Sequence, residues 1–86
     1  MVTAIVLLCV IPGEEYRVQE ELRKLGEVEK ASITFGEYDL FLEVQVPKIK
    51  LLGPLISRKI RQIEGVKKTV TLIQINQNFG EQNSSI

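Results

Sequence analysis

Two pairs of residues have types and a spacing that could bind a small polar molecule. Gly36 and Asp39 lie three residues apart between two apolar runs, and Thr69 and Thr71 lie two apart in a β-branched run. Backbone N–H groups beside a glycine can approach a carboxylate closely because no Cβ intervenes, and an aspartate can accept a charge-assisted hydrogen bond from an ammonium. Two threonines at this spacing share one face of a strand and can supply hydroxyl groups. The same residues also fit a turn glycine, an exposed carboxylate and two strand formers, and the residues alone favour that structural interpretation.

Other reactive side chains offer less. Cys9 is the only cysteine and the chain contains no histidine, so the sequence predicts no nucleophile–base pair, no zinc site and no cofactor site. Glu14 and Glu15 are adjacent on a predicted helix and do not share a face, which makes them first-turn charges rather than an acid–base pair. Five basic residues lie around the end of the second predicted helix with no aromatic residue between them, and they are interpreted as a solvated face rather than a phosphate site: Arg58, Lys59, Arg61, Lys67 and Lys68.

Composition restricts the class of protein. The 86 residues suit one small domain, and hydrophobic residues make up 44% of them, enough for a core. Eleven basic and eleven acidic residues cancel, so no net field attracts nucleic acid or an anionic membrane. The apolar run 2–11 lacks the flanks of a signal peptide and is shorter than the roughly 20 residues of a membrane span. One unpaired cysteine predicts a reducing, cytoplasmic location.

The two apolar-rich runs on either side of Gly36-Glu37, within residues 33–46, predict a β-hairpin. A glycine at the first loop position can adopt the positive φ of a two-residue type II′ turn. Apolar residues recur at a period of two on both sides of the turn, which predicts one buried face on each strand: Ala31, Ile33 and Phe35 before it, and Tyr38, Leu40, Leu42, Val44 and Val46 after it.

The remaining elements follow from periodicity and from glycine and proline. Residues 2–11 do not alternate, which predicts a central strand covered on both faces. A helix is expected from Glu14 to about Leu25, with Gly26 as a left-handed C-cap. Gly53-Pro54 interrupts a second helical pattern, so the regular helix is predicted over about 54–63. Residues 69–75 predict a fourth strand, and residues 76–86 form a polar tail.

The order βαββαβ predicts an α+β, ferredoxin-like sandwich in which both helices cover one face of a four-stranded antiparallel sheet. The domain is expected to occupy residues 1–76, with a polar tail at 77–86. The second sheet face should be too apolar to remain in water, so we expect a second copy to stack on it, as in a dimeric α/β barrel. Parity assigns part of the first strand to that face together with a mixture of residues from the later strands: Phe41, Glu43, Thr69, Thr71, Ile73 and Ile75.

Four segments together resemble the effector-binding (RAM) domain of the Lrp/AsnC transcription regulators: AIVLLCVIPG, LGEV, FGEYDLFLEV and IRQIEGVKKTVTLI. The resemblance covers residues 2 to about 75. Its most specific parts are the Gly-x-x-Asp of the hairpin and Gly65-Val66 followed by the two threonines. It implies a pocket between dimers that binds a free amino acid and that is lined by a set of six residues: Gly36, Glu37, Tyr38, Asp39, Thr69 and Thr71.

The chain departs from the full regulators in two ways, since no helix-turn-helix precedes the first strand and Gly53-Pro54 interrupts the second helix. The resemblance therefore implies a stand-alone effector-sensing and assembly domain that forms homodimers and higher oligomers, partners full-length Lrp/AsnC regulators and does not bind DNA directly. Two other hypotheses stay open. One is a small dimeric α/β-barrel enzyme with a cavity between its sheets, and the other is a structural partner that binds no ligand.

Overall fold

The computed structural model describes residues 1–74 and confirms the predicted order of elements. The four strands form one antiparallel sheet in the order β2-β3-β1-β4, as in a ferredoxin-like fold. The predicted tail and Ile75 lie outside the described residues. The elements are β1 (Val2–Val10), α1 (Glu15–Arg23), β2 (Val28–Ile33), β3 (Leu40–Val46), a second helical segment over residues 49–60, and β4 (Val66–Ile73).

One face of the sheet carries the core. Alternate residues of β1 and β3 point toward the helical segments and are at most 3% exposed: Ala4, Val6, Leu8, Val10, Leu40, Leu42, Val44 and Val46. Val18 and Leu22 of α1 pack on these residues, as do Leu52, Leu55 and Ile60 of the second helical segment. Burial of each large side chain stabilises the fold by about 1.5–3 kcal/mol. The predicted inward face of β3 is thus confirmed from Leu40 to Val46.

The other face of the sheet is open within one chain, so the prediction that β1 is covered on both faces is wrong for the single chain. Ile5 and Leu7 lie on this face and are only half-buried. Their pairing partners are Leu72 and Val70 of β4, and Phe41 of β3 lies opposite Leu7. Because paired residues of adjacent strands point to the same face, these five apolar side chains form one patch, which we call the open-face patch.

The register of β4 places its alternate residues differently from the prediction. Thr69, Thr71 and Ile73 are paired with Leu8, Val6 and Ala4, whose side chains point to the helices. These three residues therefore belong to the helix side of an edge strand and not to the open face. Glu43 is paired with Ile5 and Phe41 with Leu7, so both lie on the open face, as predicted.

The second helical segment is not the regular helix predicted over 54–63. A 3-10 turn at Ile49–Leu51 leads into an α-helical turn at Leu52–Pro54 and then a π-helix at Leu55–Ile60. Residues five apart in an α-helix point about 140° away from each other, whereas the i→i+5 bonding of a π-helix brings them onto one side. The π-helix therefore lets Leu55 and Ile60 both enter the core, where they are at most 3% exposed.

The end of α1 also differs from the prediction. Lys24 follows the helix in a right-handed conformation, and Gly26 is not among the residues with positive φ. The N–H groups of Lys24 and Leu25 bond to the carbonyls three residues before them and close the helix with a tighter turn, so no left-handed cap is needed. No helix in the described part of the chain has the length and apolar character needed to cross a membrane.

Candidate functional site

The hairpin loop is longer than the predicted two-residue turn. β2 ends at Ile33 and β3 begins at Leu40, so residues 34–39 form the loop. Thr34 closes it by donating its N–H to the Asp39 carbonyl (3.0 Å) and its hydroxyl to the Tyr38 carbonyl (2.8 Å). Gly36 takes the positive φ that was expected, at 125°. The type II′ turn is therefore wrong, while the need for a glycine at this position is confirmed.

Asp39 is tied to β1 by its backbone and by its side chain. Its N–H donates to the Leu8 carbonyl at 2.7 Å, and its Oδ2 accepts the Val10 N–H at 2.8 Å. Asp39 is therefore half-buried and anchored, and not the exposed hairpin carboxylate of the structural interpretation. Within residues 1–74, Oδ1 accepts no hydrogen bond, so one carboxylate oxygen is held in place while the other can accept from a ligand.

The loop also presents free backbone donors. In the described chain, the N–H groups of Gly36, Glu37 and Tyr38 donate to no protein acceptor. Apart from its two chain neighbours, no residue of the described chain has an atom within 4 Å of a Cβ built on Gly36, so the space beside this glycine is open. The Glu37 carbonyl accepts the Cys9 thiol at 3.6 Å and gives the loop a further contact with β1. Three unused donors and one held carboxylate thus occur within four successive residues.

The threonines lie on the far side of β1 from Asp39. Thr69 is paired with Leu8 on the β4 side of β1, whereas Asp39 donates its N–H to the Leu8 carbonyl from the β3 side. Asp39 and Thr69 are therefore separated by two intervals between adjacent strands, about 10 Å. Thr71 is paired with Val6, farther from this end of the sheet. The structure thus brings Asp39 and Thr69 to one end of the sheet, but neither Thr69 nor Thr71 forms a hydrogen bond with the loop residues 36–39 within residues 1–74.

Gly65 of the resemblance motif has a structural role within the chain. Its φ is 100°, and a Cβ built on it would lie 2.9 Å from the Arg17 guanidinium. The Gly65 carbonyl accepts the Ile11 N–H at 2.9 Å, and Arg17 donates to the Glu64 carbonyl. Gly65 is therefore required where α1 packs on the turn before β4, a contact that sequence spacing alone did not reveal.

Two grooves open on the surface, and neither includes a predicted site residue. One, of about 370 Å³, runs along the edge strand β2 beside Arg23. The other, of about 290 Å³, lies between the end of β3 and the second helical segment, and we call it the β3-end groove. Neither of these two grooves therefore reaches the predicted site residues.

Two ion pairs shift the pKa values of carboxyl groups on α1 and on the turn before β2. Lys59 donates to Glu27 Oε2 at 2.8 Å and lowers the pKa of the Glu27 carboxyl, with a smaller contribution from the Glu27 backbone N–H. Lys24 bonds to Glu21 and lowers the pKa of Glu21, while its own pKa is raised by the same pair. Across residues 1–74 no cluster of three His, Cys, Asp or Glu side chains could hold a metal ion.

Comparison with known proteins shows which family contains this chain. Residues 3–82 match the family model described as the Lrp/AsnC ligand binding domain. The chain belongs to this family. An HTH-type transcriptional regulator of Pyrococcus furiosus is 33% identical to this Lrp/AsnC domain over 72 residues, which are 84% of the chain and 49% of the regulator. A regulator of Pyrococcus abyssi is likewise 33% identical over 72 residues, covering 84% of the chain and 46% of that protein. The domain thus spans about half the length of the curated relatives it matches.

Solved structures agree with this assignment. FFRP-DM1 is 39% identical with a TM-score of 0.84, over 87% of this chain and 100% of that one. A hypothetical protein of Pyrococcus horikoshii is 37% identical with a TM-score of 0.83, over 91% of this chain and 94% of that one. AsnC of E. coli is 26% identical with a TM-score of 0.83, over 90% of this chain and 52% of AsnC. The Lrp/AsnC resemblance and the ferredoxin-like fold are confirmed, and the family is one of regulatory, effector-binding domains.

Proposed function

We propose that this Lrp/AsnC domain senses a free amino acid through its hairpin loop and carries that signal into the assembly of a transcription regulator. The observation that supports this most is the loop itself, where Asp39 is anchored through Oδ2, while within residues 1–74 its Oδ1 and three nearby N–H groups have no hydrogen-bond partner. A zwitterion needs both, an acceptor for its ammonium and donors for its carboxylate.

The two roles are distributed along residues 36–39. Asp39 Oδ1 accepts from the ammonium in a charge-assisted bond, and the N–H groups of Gly36, Glu37 and Tyr38 receive the carboxylate. Gly36 leaves the approach open, since no atom of residues 1–74 other than those of its two chain neighbours lies within 4 Å of the position of its missing Cβ. Binding through the backbone and one carboxylate recognises what all amino acids share, so the choice among them falls to whatever surrounds the side chain.

A second copy would complete the site. Within one chain neither of the two grooves reaches the loop, and Thr69 lies on the far side of β1. The family resemblance implies a pocket between dimers, in which Thr69 and Thr71 supply hydroxyls. Their position on the half-exposed helix side of an edge strand leaves those hydroxyls accessible to a loop from another molecule.

The open-face patch supports a sheet-to-sheet dimer. It contains apolar side chains on three neighbouring strands, and Leu72 is 54% exposed within the single chain. Covering such a patch with a second copy removes it from water on both molecules at once, as an isologous contact does. In the proposed assembly, two chains form each dimer by stacking their sheets, and the effector sites lie where one dimer contacts another.

The proposal assigns the chain a regulatory role and no catalytic one, since the matched relatives are transcription regulators. Full-length regulators of the family are the proposed protein partners, and the cytoplasm is the proposed location. We propose no direct binding of duplex DNA, because both helical segments pack against the sheet and leave no free recognition helix among residues 1–74. A sequence-dependent gel shift by the 86-residue chain at physiological salt would contradict this.

A thermal-shift screen of the twenty amino acids, at a protein concentration of known oligomeric state, tests the proposed function. A ligand at 100 times its Kd stabilises the native state by about 2.7 kcal/mol, which raises the melting temperature of a domain of this size by about 10–20 °C. We expect at least one amino acid to do so, and its N-acetylated form, which lacks the ammonium, to have little effect. No response to any of the twenty would favour the structural-partner hypothesis.

A further inference from the structure

Phe35 is the most exposed large apolar side chain of the described residues. It was expected on the buried face of the hairpin with Ala31 and Ile33, but the loop begins at Thr34 and carries Phe35 out of the sheet. Phe35 is fully exposed, and it directly precedes Gly36, which has a positive φ. A single exposed phenylalanine is not in itself evidence of an interface, so the rest of the surface must offer something that fits it.

The β3-end groove offers such a surface. Its volume is about 290 Å³, and an apolar cavity of about 150 Å³ already accepts benzene, so a phenyl ring fits. Its apolar lining comes from the end of β3 and from the second helical segment: Val46, Pro47, Leu51, Pro54 and Leu55. Leu51 is 42% exposed there, so part of this lining is in water in the single chain.

Charge complements shape at the two surfaces. Glu37 is exposed two residues from Phe35 and makes no ion pair within residues 1–74. Arg58 lines the groove and is likewise unpaired in the described chain, whereas its neighbour Lys59 is held by Glu27. A negative loop and a positive groove rim attract each other, and aromatic residues and arginine are the types enriched at the centres of protein interfaces.

The loop and the groove of one chain cannot meet. They lie at opposite ends of the seven-residue strand β3, which begins at Leu40 beside the loop and ends at Val46 in the groove. A strand of that length separates them by about 20 Å. Any contact between the two surfaces must therefore join different molecules.

We propose that Phe35 of one copy inserts into the β3-end groove of another copy, with Glu37 facing Arg58. The contact is head-to-tail, because each copy contributes a loop to one neighbour and a groove to the other, and such contacts close into rings or continue as filaments. It is separate from the open-face patch and leaves that patch free to pair. It uses the loop that the proposed function assigns to the effector, and a loop seated in this groove cannot at the same time face Thr69 of another copy, which lies at the opposite end of the sheet. The contact therefore belongs to the protein without a bound amino acid, and its failure would leave the effector proposal standing.

Sedimentation velocity of the whole chain, without added amino acids, tests this contact. We expect the native protein to form species larger than a dimer, and Phe35→Ala and Leu51→Arg each to weaken that assembly by about 30-fold or more while the dimer remains. Tyr16→Ala is the matched control, since Tyr16 is an exposed aromatic (75%) that belongs to neither surface. A native protein no larger than a dimer, or a Phe35→Ala protein that assembles as the native one does, would overturn the proposal.

Mixing the variants tests the head-to-tail geometry. A Phe35→Ala molecule keeps its groove and a Leu51→Arg molecule keeps its loop, so a mixture of the two should regain assembly that neither shows alone. Glu37→Arg should weaken assembly, and adding Arg58→Glu in the same chain should restore it by reversing both charges. A mixture that stays at the size of its components, or a double charge reversal as weak as Glu37→Arg alone, would contradict the contact.

Discussion

Replacing Asp39 with alanine should destabilise the unliganded protein, because the carboxylate completes the sheet. Asp39 Oδ2 accepts the Val10 N–H at 2.8 Å in a partly buried position, and Val10 itself is 3% exposed. Alanine would leave that N–H without an acceptor, and an unsatisfied buried donor costs about 1–3 kcal/mol. The melting temperature of a domain of this size should then fall by about 4–8 °C for each kcal/mol lost.

Asp39→Asn separates this structural role from the role of the charge. The asparagine Oδ1 can accept the Val10 N–H in place of the carboxylate oxygen. We therefore expect Asp39→Asn to lower the free energy of unfolding by less than half of the amount that Asp39→Ala does. Urea denaturation of both variants at one protein concentration measures the difference in the free energy of unfolding. An Asp39→Ala protein as stable as the native one would show that the bond to Val10 contributes nothing, and the anchoring of the loop would have to be reconsidered.

Three further predictions concern the open face, the loop glycine and an ion pair. Leu72→Lys should dissociate the sheet dimer by placing a charge on the open face, whereas Ile73→Lys, one residue away on the helix side, should not; equal effects in sedimentation equilibrium would contradict the register of β4. Gly36→Ala should cost about 1–3 kcal/mol in urea denaturation because φ is 125°, although no atom blocks a Cβ; an unchanged midpoint would show that the loop relaxes. Lys59 lowers the folded-state pKa of Glu27, so their pair should stabilise the fold at pH values above the unfolded pKa of about 4.3. That stabilisation should be lost as the pH falls through the lower folded pKa, and it should amount to about 1 kcal/mol or less because the pair lies at the surface. Lys59→Met should remove that part of the pH dependence, and an unaltered acid-denaturation profile would count against it.

The sequence was sufficient for the order of elements and for the buried face of β3. There Leu40, Leu42, Val44 and Val46 alternate with Phe41, Glu43 and Gln45, and a period of two has only one phase that buries all four aliphatic residues. β4 lacked that information, because Thr69, Val70, Thr71 and Leu72 suit either face of a strand. Its phase is set by pairing with β1, and sequence parity alone therefore assigned Ile73 to the wrong face.

The geometry of the site depended on contacts between distant parts of the chain. Asp39 was identified from its spacing to Gly36, but its bond to Val10 joins residues 29 apart and leaves no local signal. The loop is longer than a two-residue turn because Thr34 bonds to the carbonyls of Tyr38 and Asp39. The Gly-Glu pair in the sequence gives no indication of these bonds. The π-helix likewise becomes visible only once Leu55 and Ile60 share one core.

Isothermal titration calorimetry of the amino acid that stabilises the protein most would test the sensing role of the loop most directly. The native protein, Asp39→Asn and Glu29→Gln should be compared at one oligomeric state, with Glu29 as an exposed carboxylate on β2 outside the loop. We expect Asp39→Asn to lose about 1.5–3 kcal/mol of binding, a drop in affinity from about tenfold to over a hundredfold, while Glu29→Gln binds as the native protein does. An Asp39→Asn protein that binds its amino acid with undiminished affinity would contradict the proposed function, because the Asp39 oxygen that accepts no hydrogen bond within residues 1–74 would then have no part in recognition.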